Sequence, residues 1–242
     1  MRKAFLAFAL ASFALSPLLA LGGGGMMLGA RTAAWGGKRP PYDAEVEYLE
    51  STGTQWINTE IRNITPQQGL RCLCQIGNPK YSQTGYSVAF GLSSDDESLL
   101  IQAFREPGAL NVFANGYEDL HIGGDDGELD SAICDIRINQ FNSGKIEVYV
   151  DESPHQLMLT RNFDVIPEID MFLFCASLAN SAEYISICRI YNFMLTEDDS
   201  IIKNLIPVLD LSGRPAMYDE ISGQFFYNQG TGEFIIGPDK TT

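Results

Sequence analysis

After residue 42 the chain alternates apolar and polar residues at a period of two. Residues 69–76 show the pattern plainly, with Leu70, Cys72, Cys74 and Ile76 on one face, as in a half-buried strand. Similar runs occupy 44–49, 55–61, 86–92, 99–105, 110–115, 132–138, 145–151 and 156–160, separated by clusters of Gly, Pro, Asn and Asp. Such punctuation turns the chain without helices. Two further runs, 171–178 (MFLFCASL) and 184–195 (YISICRIYNFML), are apolar on both alternate faces. They read as strands inside a two-layer structure. In the second run Ile185, Ile187, Arg189, Tyr191 and Phe193 form one face, so Arg189 must reach an edge or find an acid.

A helical signal occurs at residues 196–205, where Thr196 precedes the acids of TEDDS. An N-cap followed by a negative first turn predicts one short helix there. No strand–helix–strand rhythm and no fixed repeat is present. Residues 207–238 read as a meander rich in aromatics: Tyr218, Phe225, Phe226, Tyr227 and Phe234. These elements predict an all-β protein, an antiparallel β-sandwich spanning 42–238 and including the meander.

The 242 residues carry a formal net charge of −15, with 31 acids against 16 bases. Five of the bases precede residue 40 and every acid follows residue 42, so the chain from residue 40 carries a net −20. Nucleic acid demands the opposite sign, and anionic lipid is disfavoured for the same reason. At 45% hydrophobic and 19% charged residues the composition is globular.

Arg2 and Lys3 precede an apolar stretch at 4–15, Pro17, and the small residues Ala20, Gly22–Gly25, Ala30, Ala33 and Ala34. That is the three-part layout of a secretory signal, so residues 1–34 are expected to be a signal peptide and linker. Cleavage after Gly22 and cleavage after Ala34 both satisfy it. An uncleaved membrane anchor is the rival reading, and Pro17 with its small-residue tail favours cleavage. The expected address is periplasmic, secreted or cell-surface, with no membrane span once the signal is removed.

Export would place five cysteines, Cys72, Cys74, Cys134, Cys175 and Cys188, in an oxidising compartment. An odd number cannot pair completely within one chain. Cys72 and Cys74 share a strand face and are poorly placed to bond each other. Buried free thiols are the expected role, with one Cys175–Cys188 bridge as the alternative.

Several stretches together resemble a known family. KIEVYVD at 145–151 is similar to a strand-and-turn motif of LamG-like domains, with Glu152 where a glycine is usual. ISICRIYNFMLTEDD at 185–199 is similar to their late strand. YLESTGTQWINTEI near the start and IPVLDLSGRPAMYDEISGQFFYNQGTGEFI at the end resemble stretches of exported bacterial and phage-encoded proteins of this kind. The resemblance is to the LamG-like branch of the concanavalin A-like lectin/glucanase superfamily, and it implies a jelly roll. It implies less about activity, because that fold hosts lectins, adhesion modules, glycosidases and spacers.

The glucanases of the superfamily carry E-x-D-x-x-E on one strand, since hydrolysis needs two carboxyl groups flanking the glycosidic bond. Here Glu168 and Asp170 match, but Leu173 stands at the third position and cannot move a proton. Both acids are expected on the surface at a strand start. No G-x-S-x-G, H-E-x-x-H or P-loop motif occurs. A non-enzyme is expected. Some relatives hold Ca²⁺ in acidic loops, so Asp125, Asp126, Glu128 and Asp130 are candidate ligands for a calcium ion, the only cofactor implied. A solvated acidic loop is the plainer reading. Sugar binding calls for exposed aromatics beside planar polar side chains, and Trp56, Tyr81 and Tyr117 are the candidates, Trp56 also fitting a core role. The expectation is an exported recognition module for a glycan or cell-surface protein. A structural domain of an envelope assembly and a divergent glycoside hydrolase are the alternatives.

Overall fold

The computed structural model describes residues 40–77, 86–93, 100–114, 118–123, 129–142, 144–160 and 169–240. The signal peptide and linker expected at 1–34 lie outside them. Among the described residues no helix is long and apolar enough to cross a membrane. Strands are numbered β1 to β19 in chain order.

Two sheets face each other. The first runs β11 (Ser153–Met158), β10 (Lys145–Val150), β9 (Cys134–Ile138), β4 (Gln68–Ile76), β15 (Ile187–Glu197), β16 (Ser200–Asp210), β17 (Pro215–Asp219), β18 (Phe225–Tyr227). β1 (Tyr42–Glu45) pairs with β16, while β2 (Leu49–Thr52) lies between β15 and β19 (Ile235–Ile236). Both ends of the sandwich chain are therefore built into one sheet. Glu45 and Lys240 reinforce this with an ion pair at 3.0 Å.

The second sheet runs β14 (Ser181–Glu183), β13 (Ala176–Leu178), β5 (Ser87–Ser93), β6 (Leu100–Glu106), β7 (Ala109–Ala114), β8 (Glu118–Gly123). β12 (Phe172–Leu173) pairs with both β5 and β3 (Ile57–Asn58). β13 against β5 is parallel, and the other pairings are antiparallel.

The core lies between the sheets. Leu70, Cys72, Cys74 and Ile76 are buried together, as their alternation predicts, with Ile136 and Ile138 of β9 and Ile146 and Val148 of β10. Phe90 of β5 meets Phe193 of β15 edge-to-face at 5.7 Å, joining the layers. All five thiols are buried and free, so the Cys175–Cys188 bridge is not formed. Burial pushes both of those thiols up, away from the reactive thiolate.

Three further expectations are corrected. Residues 196–205 form no helix. β15 turns directly into β16 at Asp198 and Asp199, both left-handed (φ 46° and 62°), with Glu197 opposite Ser200. Two left-handed residues make the tight hairpin turn whose twist suits long strands, and Asp tolerates that conformation. The capping signal lost to eleven-residue strands pairing across it. The run 171–178 is two strands, broken at Phe174 (φ 67°). Finally, the register of β15 slips between Ile190 and Asn192. That bulge turns Tyr191 and Asn192 both outward and brings Phe193 inward with Cys188 and Ile190. Ile187 and Arg189 are half-buried on the outer face. Arg189 finds its acid there, Glu50 at 2.6 Å, and its guanidinium covers the Tyr48 ring at 4.6 Å.

Candidate functional site

The outer face of the second sheet carries a row of aromatic rings. β6 alternates Ala103 and Arg105 inward with Gln102, Phe104 and Glu106 outward. On β7, Phe113 stands opposite Gln102 and Asn111 opposite Phe104. Phe104 and Phe113 lie parallel with centroids 5.6 Å apart. Tyr86, just before β5, meets Phe104 edge-to-face at 5.6 Å and Tyr184 at 5.9 Å. Tyr86 and Tyr184 each remain 40% exposed. The rings wall a shallow cavity of about 290 Å³, completed by Ser93, Gln102, Glu106, Ala176 and Leu178.

Local backbone irregularities aim the two tyrosines. Tyr184 is left-handed (φ 54°), a conformation that costs a bulky residue roughly 1–3 kcal/mol and that concentrates at binding sites. The buried Ser186 hydroxyl holds it, donating to the Tyr184 carbonyl at 2.6 Å and accepting from the Val88 amide at 2.6 Å. β5 is irregular between Val88 and Phe90. Ser186 thus ties the turn carrying Tyr184 to the strand start beside Tyr86.

The polar part of the face is also ordered. Asn111, 4% exposed, donates from Nδ2 to Glu106 Oε1 at 3.2 Å, and its Oδ1 lies 2.6 Å from His121 Nδ1. Phe104, Asn111 and His121 are successive cross-strand partners, as are Gln102, Phe113 and Asp119. Among the described residues this face presents Glu106, Asp119 and, opposite Ala176, Glu183, and no lysine or arginine.

Other concavities are less suited to a ligand. A cavity of about 660 Å³ on the first sheet is lined by Leu73, Ile133, Asp135, Arg137, Tyr149, Asp151 and Glu152. Its one aromatic ring is already covered by the Arg137 guanidinium at 4.6 Å. Asp135 is bound by Arg71 at 2.8 Å and also by Arg137. Burial pushes the Asp135 carboxyl up, but the two arginines outweigh it and hold it below the usual range.

Of the residues singled out from the sequence, Tyr81, Tyr117, Asp125, Asp126 and Glu128 lie outside the described residues, as does Glu168. Trp56 is half-buried, its ring 4.6 Å from Phe172, and does not line the groove. Asp130 is committed to Arg105, Nη1 to Oδ1 at 2.8 Å. Among the described residues no three His, Cys, Asp or Glu side chains converge as cation ligands. The surface placement expected for Asp170 is overturned. It is 5% exposed, gripped by Arg62 Nε at 2.6 Å and Nη2 at 2.9 Å, and receives Asn58 Nδ2 at 2.8 Å. It fastens the loop after β3 to β12. Tyr86, Phe104, Phe113 and Tyr184 were missed, although Phe104 on the otherwise polar face of β6 was a legible signal.

No protein-family profile matches the chain, and no curated protein does. Solved structures do. One is a Bacteroides ovatus protein whose carbohydrate binding is itself an attribution, with a TM-score of 0.53 and 10% identity over 79% of this chain. The chain spans 60% of that protein's length. The LG1–3 region of the laminin α2 chain matches at a TM-score of 0.46 and 13% identity, over 76% of this chain and 31% of that one. The NanB sialidase of Streptococcus pneumoniae matches at 0.42 and 7%, over 79% and 39%. The fold is an antiparallel two-sheet β-sandwich, the jelly-roll architecture that the sequence resemblance implies. At these identities the likeness speaks for the fold alone.

Proposed function

We propose that this chain is an exported, non-catalytic recognition module whose ligand is a short glycan seated on the outer face of the second sheet. The observation that carries it is the row Tyr184, Tyr86, Phe104, Phe113 beside Gln102 and Glu106. Aromatic faces are electron-rich and attract the polarised C–H face of a sugar ring, while planar polar side chains take its hydroxyls in pairs. A cavity of about 290 Å³ suits a short saccharide and is too small for a helix or a globular partner. The left-handed Tyr184 supports the reading, because strain is retained where a side chain must be aimed. Catalysis is left out on two grounds: Leu173 is buried where an acid/base would stand, and Asp170 is locked by Arg62.

The test is a binding panel of neutral oligosaccharides against the full chain. Tyr86→Ala and Phe104→Ala, each retaining the wild-type circular dichroism, should weaken the best ligand at least ~10-fold. Binding that survives both substitutions, or no binding to any glycan, defeats the proposal and leaves a structural domain of a surface assembly.

A further inference from the structure

Glu106, Asn111 and His121 form a directed chain of hydrogen bonds across β6, β7 and β8. An ionised carboxylate only accepts, so Glu106 fixes which way the Asn111 amide points: Nδ2 toward Glu106 Oε1 at 3.2 Å. The amide oxygen must then face His121, whose Nδ1 lies 2.6 Å away. At that separation Nδ1 has to carry the proton, and a neutral imidazole is left with Nε2 as an acceptor. Asn111 is buried, so the arrangement is shielded from exchange with solvent partners, whereas His121 is exposed and Glu106 half-exposed. Among the described residues nothing else binds the second Glu106 oxygen.

We infer that this relay sets the ligand class of the groove: neutral, hydroxyl-rich saccharides are admitted, carboxylated ones are excluded, and Glu106 is the specificity-determining residue. The inference rests on the glycan reading above. The end of the groove beside Phe104 offers Glu106 Oε2 as an acceptor, and beyond the groove lining, on the same face opposite Asn111, exposed His121 offers Nε2, so this side asks the ligand for donors. Sugar hydroxyls supply them. A uronate or other carboxylated sugar would set a second negative charge against Glu106, with Asp119 on the same face and no lysine or arginine among the described residues to offset it. Like charges brought together at an interface are strongly disfavoured.

Two readouts test it separately. The first is ¹⁵N NMR of the imidazole in the full chain at neutral pH. His121 should be the Nδ1–H tautomer, and Glu106→Gln should mix the tautomers, because a glutamine no longer dictates the Asn111 amide. An Nε2–H tautomer in the wild type overturns the relay. The second is binding of cello-oligosaccharides and of the same oligomers oxidised to the carboxylate at C6, with the best neutral ligand of the panel and its own C6-oxidised form added. Neutral forms should bind at least ~10-fold more tightly than oxidised ones, and Glu106→Gln should bring the two within about threefold. Equal binding of both forms to the wild type overturns the selectivity while leaving the glycan reading intact. No binding of any form, with the expected tautomer present, overturns the glycan reading and the selectivity with it.

Discussion

Arg105 sits on the inward face of β6, 1% exposed, and its guanidinium reaches Asp130 at 2.8 Å where the sandwich opens to solvent. A buried guanidinium without a charged partner is costly, so Asp130 is expected to act on stability. Asp130→Asn should cost about 1–2 kcal/mol, discounted because the Asp130 side chain is 36% exposed. Urea denaturation measures it. If Asp130 instead served a calcium ion, adding EDTA to the wild type would reproduce the loss; we expect EDTA to leave the midpoint unchanged.

The turn between β10 and β11 places Asp151 and Glu152 at φ 43° and 71°. A left-handed residue with a side chain is disfavoured by roughly 1–2 kcal/mol, and glycine escapes that penalty. Part of the gain is lost to the greater freedom of glycine in the unfolded chain. Glu152→Gly should therefore raise stability by up to about 1 kcal/mol, seen as a higher thermal midpoint. A fall would mean that the Glu152 side chain makes a compensating contact.

Asp210 organises the turn into β17. Its carboxylate accepts from the Ser212 hydroxyl at 2.6 Å, the Arg214 amide at 3.0 Å and the Tyr227 hydroxyl at 3.0 Å. The Ser212 hydroxyl first, with the backbone amides and Tyr227, lowers its pKa to about 2. The folded value lies below the unfolded one, near 3.9, so the stabilisation is present above roughly pH 4 and is lost as pH falls toward 2. Carbon-detected NMR should find Asp210 titrating near 2 in the folded protein. Asp210→Asn should flatten the acid limb of the stability curve, and an ordinary titration would remove this account of the turn.

The closing meander is part of the first sheet. β17 pairs with β16 and β18 with β17, while Phe234 packs 4.7 Å from buried Phe174. Truncation after Asp210 strips the outer edge from β16 and uncovers Phe174. The truncated chain should aggregate or lose its cooperative melt. A monomer with an unchanged midpoint would show that residues 211–242 are dispensable to the sandwich.

Much of the sandwich was legible because its strands alternate. The inward set Leu70, Cys72, Cys74, Ile76 is the one the period predicts. What failed were features in which pairing overrides local pattern. TEDDS carries an N-cap and acids, and only the partner strand turns it into a hairpin. The bulge at Tyr191 swaps the faces of β15 midway, and no single strand reveals a register shift with its neighbour. Asp170 looks like a surface acid until Arg62, 108 residues away in sequence, is folded against it. The groove was illegible for a similar reason. Tyr86, Phe104, Phe113 and Tyr184 come from four separate segments, and only the order of strands in the second sheet lines them up.

The most direct test of the central claim is an aromatic ¹H–¹³C NMR titration of the full chain with neutral oligosaccharides. The account predicts saturable shifts in the rings of Tyr86, Phe104, Phe113 and Tyr184, with Trp56 and Tyr149 unmoved. A titration that leaves those four rings still, or that moves Trp56 or Tyr149 in their place, contradicts it.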